Sequence, residues 1–211
     1  MESTWRRAAQ QHRSRRTERA LARAANRLLA ARPFEEIRVA DLARAAGVSV
    51  GGFYRRFRDK RAVLHLADLG FIDDCRQALD EAFDDPSLAK QPLAGVVRAY
   101  VRVMVGKFRE HRVAILQVLR NADPADARAY RERATAFNDH VHGRFRAAIA
   151  ARAAEITHSD PEVAVNLAIF FASAAARDAI WRGSLAAYPV AIDDERLIDE
   201  ITRAFLAYLA A

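Results

Sequence analysis

Apolar positions in the first third of the chain recur every three or four residues, in short runs separated by turn formers. Ala20, Leu21, Ala24, Leu28 and Leu29 fall on one side of a helix predicted over residues 17–31, which Pro33 and Phe34 end. Val39, Leu42, Ala43 and Ala46 repeat the spacing over 39–46. Gly47 then supplies the left-handed residue that lets the chain leave one helix and begin another at a steep angle. Ser49 is placed to cap the next helix, over 50–57. Phe53 and Phe57 on that helix share a core-facing side, which leaves Val50, Gly51, Gly52, Tyr54, Arg55 and Arg56 facing outward. Two short helices about a tight turn, closed by a basic aromatic cluster, have the layout of a helix-turn-helix DNA reader.

The same periodicity continues to the C-terminus without a credible strand. Asp59 precedes Lys60, and a long helix follows to about residue 83 with Leu64, Phe71, Ile72, Cys75 and Leu79 inward, until Asp84, Asp85, Pro86 and Ser87 break it. Pro92 opens a segment to about 110, a shorter piece covers 111–122, and Asp123-Pro124 opens a long helix to near 157. Asp160-Pro161-Glu162 combines an N-cap, a first-turn proline and an early negative charge ahead of a helix reaching Gly183. After Tyr188-Pro189, Asp193 or Asp194 caps a last helix. The expectation is an all-α fold of about nine helices with no internal repeat. A basic arm over 1–16 leads into a DNA-binding domain over 17–64, and an effector-binding and dimerisation domain occupies 65–211, with the boundary inside the fourth helix.

Charge sharpens this picture. Residues 1–64 hold sixteen Arg and Lys against six Asp and Glu, whereas 65–211 hold eighteen against twenty-one, so the whole basic surplus of this +7 chain sits in its first third. A polyanion partner follows, because each phosphate neutralised releases condensed counterions. Arg6, Arg7, Arg13, Arg15 and Arg16 form the arm, which reads either as a backbone or minor-groove contact that orders on binding or as a solubilising tail. An apolar fraction of 52% over 211 residues suffices for a core in one small and one medium domain. No apolar run fits a signal peptide and none approaches a membrane-spanning length, so a cytoplasmic protein without a membrane partner is expected. Cys75 is the sole cysteine, which excludes an intrachain disulfide and a thiolate cluster within one chain and reads as a core residue. Arginine far outnumbers lysine, found only at Lys60, Lys90 and Lys107, as in a GC-rich bacterial genome.

Catalytic chemistry finds little support. His140 and His142 stand two apart on a helix and point in different directions, and His65, His111 and His158 are isolated. The chain has no Gly-rich phosphate loop, no serine-nucleophile motif and no carboxylate pair at a telling spacing. No enzyme activity, cofactor or metal is expected.

Residues 17–66 resemble the DNA-binding domain of the TetR (tetracycline-repressor) family of bacterial one-component regulators. The resemblance rests on Phe34-Glu35-Glu36-Ile37, Val39, Asp41-Leu42-Ala43, Ala46-Gly47-Val48-Ser49, Gly51, Phe53-Tyr54, Phe57, Lys60 and Leu64. The remaining three quarters resemble the family only in being helical with two final helices suited to dimerisation. Three residues depart from the pattern. Arg38 stands where a threonine usually caps the second helix, a loss of about 1 kcal/mol. Gly52 replaces a residue with a hydroxyl or methyl, so with Gly51 the recognition helix begins on two residues each about 1 kcal/mol poorer than Ala. Arg56 replaces His or Tyr and adds a full charge.

The resemblance and the side-chain chemistry jointly suggest roles. Tyr54 and Lys60 suit phosphates, Arg55 and Arg56 the O6 and N7 edge of guanine, and Val50 a thymine methyl, while Gly51 and Gly52 let the backbone approach closely. Phe71, Cys75, Val97, Tyr100, Met104, Phe108, Leu116, Phe137, Asn138, Val141, His142 and Phe145 line the stripes of the middle helices. The resemblance implies an effector cavity there, and the same residues also describe an ordinary helical core. Phe170, Phe171, Ala174 and Trp181, with Leu197, Ile198, Ile201, Phe205 and Tyr208 on the last helix, suit a four-helix interface between two copies, with burial within one chain as the alternative. The implied protein is a homodimer that binds a palindromic double-stranded DNA operator and leaves it when a partly apolar small molecule binds. The alternatives are an activator of the same build and a ligand-free architectural DNA-binding or interaction protein.

Overall fold

The computed structural model describes residues 13–183 and 192–211, and among these it holds eight α-helices and no strand. The arginines of the basic arm before residue 13, and the expected break at Tyr188-Pro189, lie outside the described residues. Helix α1 (Arg13–Ala31) starts inside the stretch assigned to the arm. A 3-10 turn (Phe34–Glu36) leads to α2 (Val39–Ala46), and α3 spans only Val50–Tyr54. The predicted extension of α3 to residue 57 gives way to a turn, since a helix opened by two glycines gains little from another residue. Helix α4 covers Ala62–Asp84.

Helix α5 (Leu93–Asn121) is one 29-residue element, where two were expected. Nothing at residues 110–112 breaks a helix, and buried Phe108, His111, Ala114, Ile115 and Val118 carry the inward stripe straight through. Asp123-Pro124 marks a start as expected, but of a 3-10 turn (Pro124–Asp126) in which Asp123 accepts from the Ala125 N–H at 2.9 Å; α6 (Ala127–Ile149) follows. A further 3-10 stretch (Ala150–Glu155) replaces the predicted helix end. Its Arg152 donates to the carbonyls of Gln91, Leu88 and Ala89 at 2.7, 2.7 and 2.9 Å, a clamp on the α4–α5 connection that outweighs helical continuation.

Helix α7 (Pro161–Arg177) is capped by Asp160, which accepts from Val163 N–H, and passes into a π-turn (Asp178–Arg182) that Gly183 ends at φ 65°. Residues 161–182 form a helical stretch of mean hydropathy 1.5, long and apolar enough to cross a membrane by length and composition, which corrects the expectation that no segment approaches that length. Alanine raises the hydropathy without adding bulk, and Ala164, Val165, Ala168, Ile169, Ala172 and Ala176 are buried inside the protein. Helix α8 (Asp194–Leu209) is capped by Asp193.

The chain forms two compact units. One runs to Asp73 and resumes over His111–Thr135; the other comprises Asp74–Glu110 and Ala136–Ala211, so α4, α5 and α6 each contribute to both. The first unit centres on Leu21, Leu29, Ile37, Leu42, Phe53, Phe57, Leu64 and Leu66, joined by Ala114 and Val118. Gln117 fastens its margin: the amide donates to the carbonyls of Leu29 and Arg32 and accepts from Phe34 N–H at 2.6 Å. In the second unit Tyr100, Phe145 and Phe205 pack as a triangle of rings 5.4 to 6.3 Å apart. Ion pairs of Arg98 with Asp199, Arg102 with Glu195 and Arg109 with Asp194 run along α5 and α8 at its surface.

Candidate nucleic-acid interface

The geometry of the reading head follows from two local devices. Gly47 ends α2 at φ 69° and ψ 32°, a conformation that L side chains rarely adopt, so the chain turns and restarts within two residues. Ser49 Oγ then accepts from Gly52 N–H at 3.0 Å and closes the first turn of α3. Helix α2 retains half of a capping box despite Arg38, because the Asp41 carboxylate accepts from Arg38 N–H at 3.3 Å while pairing with Arg32 at 3.0 Å. Phe53 and Phe57 are fully buried and in ring contact at 4.9 Å, which fixes the rotation of α3 about its axis.

That rotation decides what reaches outward. Val50 and Tyr54 are 41% and 43% exposed, and Ser49, Gly51 and Arg55 are exposed too. Gly52, expected on the outer face, is buried. Ser49 covers it from one side, Arg55 lies beside it, and the Arg56 guanidinium folds back to donate to its carbonyl at 2.9 Å. Arg56 is therefore half-buried and committed to its own helix, while Arg55 remains free to project. Lys60 is also engaged: Nζ donates to the Glu35 carbonyl at 2.8 Å and sits 4.6 Å from the centroid of the Phe34 ring. It stands in the turn ahead of α4, two residues before that helix begins.

The residues assigned to an effector divide between the units. Phe71 and Leu116 fall in the first; Cys75, Val97, Tyr100, Met104, Phe108, Phe137, Asn138, Val141, His142 and Phe145 fall in the second. Within the second unit Cys75, Val97, Tyr100, Met104, Phe108, Phe137, Val141 and Phe145 are buried. Tyr100 shares a hydrogen bond with Ser173 Oγ at 2.6 Å, and burial pushes its phenol up to about 12. Burial likewise raises the Cys75 thiol, so it is held protonated. Asn138 is exposed, on the flank of α6 beside the buried stripe of Phe137 and Val141. His142 is half-buried beside Asn166, at 2.9 Å. Leu116 instead lines a cleft of about 570 Å³ in the first unit, between the end of α1 and α5.

The residues expected at a dimer interface differ in burial. Leu197, Ile198, Ile201 and Phe205 are buried within the chain, because α8 turns its stripe inward where Phe205 meets Tyr100 and Phe145. Trp181 is half-buried and donates through Nε1 to the Phe108 carbonyl at 3.2 Å. The open apolar face belongs to α7, where Val163, Leu167, Phe170 and Phe171 are 37% to 58% exposed. Beside it, Ala168, Phe171, Ala172, Ala175, Ile201, Ala204, Phe205 and Tyr208 line a groove of about 300 Å³ between α7 and α8. Ala174 is half-buried on the same helix.

The histidines are tied into separate networks. His140 Nε2 lies 3.0 Å from Asp80, His158 accepts from Asp160 N–H, and His111 is buried edge-on to Phe71. His65, isolated in sequence, is the centre of a buried polar cluster with Asp126, Tyr130 and Arg133. Sequence reasoning passed over this cluster and Gln117 alike, since their partners lie more than sixty residues away and leave no local signal.

Residues 21–67 match the family described as bacterial regulatory proteins, tetR family, and residues 92–209 match the tetracyclin repressor-like C-terminal domain. The chain is 34% identical over 145 residues to the HTH-type transcriptional regulator EthR of Mycolicibacterium smegmatis, across 66% of this chain and 59% of that protein. It thus spans about three fifths of the length of that relative. Among solved structures, a TetR-family regulator from Mesorhizobium loti is similar with a TM-score of 0.64 at 19% identity, covering 93% of this chain and 98% of that one. The fatty acid degradation regulator FadR from Bacillus halodurans is similar with a TM-score of 0.62 at 13% identity, covering 90% and 94%. Since the C-terminal match alone spans more than half of the chain, the protein belongs to the tetR family of bacterial regulatory proteins.

Proposed function

We propose that this protein is a DNA-binding transcriptional regulator, a dimeric repressor that leaves a palindromic operator when a small-molecule effector binds. The observation that carries the reading is a Ser49-capped α3 seated on Phe53 and Phe57 with Val50, Tyr54 and Arg55 directed outward, in the part of the chain that holds its basic surplus. A short helix of that kind places its first residues against base edges in the major groove. Arg55 is the base reader, Tyr54 takes a phosphate through its hydroxyl, and Val50 meets a thymine methyl. Arg56 organises the helix from behind, through the Gly52 carbonyl.

The dimer forms through the exposed face of α7 with the rim of α8 around Ala204 and Tyr208, so that two reading heads match the two-fold symmetry of a palindrome. An effector that binds one conformation better shifts the population away from the operator-competent spacing. The buried set of Tyr100, Met104, Phe108, Phe137 and Val141, with the Tyr100–Ser173 hydroxyl pair, suits a partly apolar molecule with one polar handle.

Selection from a pool of random duplexes by the purified chain, followed by sequencing, tests the reading. The expected product is a palindrome whose half-sites are about one helical turn, roughly 34 Å, apart or a multiple of it. Salt-sensitive binding with no enriched sequence would instead identify an architectural DNA-binding protein.

A further inference from the structure

Inside the first unit, α4 meets the start of α6 through a buried polar cluster. His65, on the first turn of α4, is 1% exposed. Its Nε2 lies 3.0 Å from Asp126, and its Nδ1 lies 3.3 Å from the Arg133 guanidinium. A guanidinium only donates, so Nδ1 is the acceptor and the ring proton sits on Nε2, toward Asp126. Tyr130 stacks on the imidazole with centroids 4.9 Å apart and planes within 11°. Arg133 lies 4.7 Å from the Tyr130 centroid and bonds Asp68 at 2.5 Å. On the rim Arg61 pairs with Asp123, and Asp59 acts on the imidazole from the turn before α4.

We propose that His65 is a positioning residue of the reading head: the neutral imidazole joins the first turn of α4 to α6, and its protonation at Nδ1 undoes that junction and lowers operator affinity. This rests on the DNA-binding reading above. The first turn of α4 matters to α3 because Ala62, Val63, Leu64 and Leu66 share one core with Phe53 and Phe57. A proton on Nδ1 removes the acceptor and sets a second positive charge against Arg133. Arg133 must then turn away, and the largely buried Asp68 carboxylate loses its partner. Asp126 and Asp59 favour the charged ring and Arg133 opposes it, but burial is the largest influence, and the net effect holds His65 below the ordinary histidine value of 6.5. Burial also raises the carboxyl of Asp68 against the pull of Arg133. The sign is fixed by the His65 shift: the junction is intact above pH 6.5 and is lost as pH falls toward the folded-state value.

The test uses the full chain and its selected duplex at constant ionic strength. Long-range nitrogen–proton NMR of the histidines should show His65 as the neutral Nε2–H tautomer at pH 7.5, titrating below 6.5. Operator affinity measured by fluorescence anisotropy should fall severalfold as pH is lowered from 7 through the His65 titration that the NMR reports. His65→Gln, whose amide can accept from Arg133 and donate to Asp126, should keep the pH 7 affinity and flatten the profile. An unchanged pH slope in that variant, or a protonated Nδ1 at pH 7.5, overturns the proposal. Should His65→Gln fail to fold, Arg133→Gln decides: with no guanidinium for the protonated ring to displace, the His65 titration should rise while the pH dependence of affinity flattens, and an unchanged pH slope is the contrary result. If the chain binds no DNA at any pH, the DNA-binding reading has failed. Hydrogen-exchange protection in the first turn of α4, taken relative to the intrinsic rate at each pH, then still tests the junction, since it should drop as His65 titrates and unchanged protection counts against it.

Discussion

Ser49, Gly51 and Gly52 form a first turn in which each residue has a different task. Ser49 supplies the cap, and Ser49→Ala should lower thermal stability by about 1 kcal/mol. At Gly51 an added methyl meets nothing within 4 Å, so Gly51→Ala should raise stability by roughly 0.5 to 1 kcal/mol, while operator affinity falls if the backbone there approaches DNA. Thermal melts with anisotropy titrations on both variants check the pair, and a stabilised variant with unchanged affinity would place DNA elsewhere. Arg55→Ala should lose about 1 to 3 kcal/mol of binding and relax the preference at one base position per half-site. Arg56→Ala should instead lower stability and weaken all sites alike, because its guanidinium is spent on the Gly52 carbonyl. Site selection by each variant separates these outcomes; a relaxed base preference in Arg56→Ala would reverse the assignment. The cap and the left-handed Gly47 were legible in the sequence, since both act within four residues. The burial of Gly52 was not, because it depends on which way the Arg56 side chain folds.

At the scale of elements, boundaries were legible where a local device sets them. Asp160 and Asp193 announce their helices through side chains that accept from the third residue on, a local chemistry that composition reveals. The end of α6 is set by the reach of Arg152 to carbonyls some sixty residues away, which no local pattern encodes. The apolar stripes of α7 and α8 were recognised, but periodicity does not say whether a stripe faces its own core or another copy. The structure turns the α8 stripe into its own core and leaves an apolar face of α7 open, and the interface proposed for that face is testable. Phe205→Ala removes a ring packed against Tyr100 and Phe145 and should cost about 3 to 5 kcal/mol of stability. Phe170→Glu changes a side chain that is 58% exposed and should leave the fold intact while producing monomers. Sedimentation with circular dichroism distinguishes the two, and a folded dimer of Phe170→Glu would move the interface away from α7.

For the whole molecule, the confinement of the net basic surplus to the first third was readable by counting, and it makes a prediction that does not depend on any single contact. Affinity for the selected duplex should fall linearly on a log–log plot against salt, with a slope of about −0.9 for each phosphate neutralised, while self-association through the apolar face of α7 barely responds. Lys60 gives that slope a residue-level meaning. In the free chain its ammonium is already satisfied by the Glu35 carbonyl and the Phe34 ring, so a phosphate gains it by exchanging partners rather than by capturing a solvated charge. Lys60→Ala should therefore weaken every duplex by a similar factor and reduce the salt slope by about 1, with the base preferences of the parent retained. Anisotropy titrations at four or five salt concentrations, on the selected duplex and a scrambled one, supply both readouts. A variant that keeps the parental slope would leave Lys60 as an internal brace of the α4 turn, and its ammonium would have no part in the phosphate contacts.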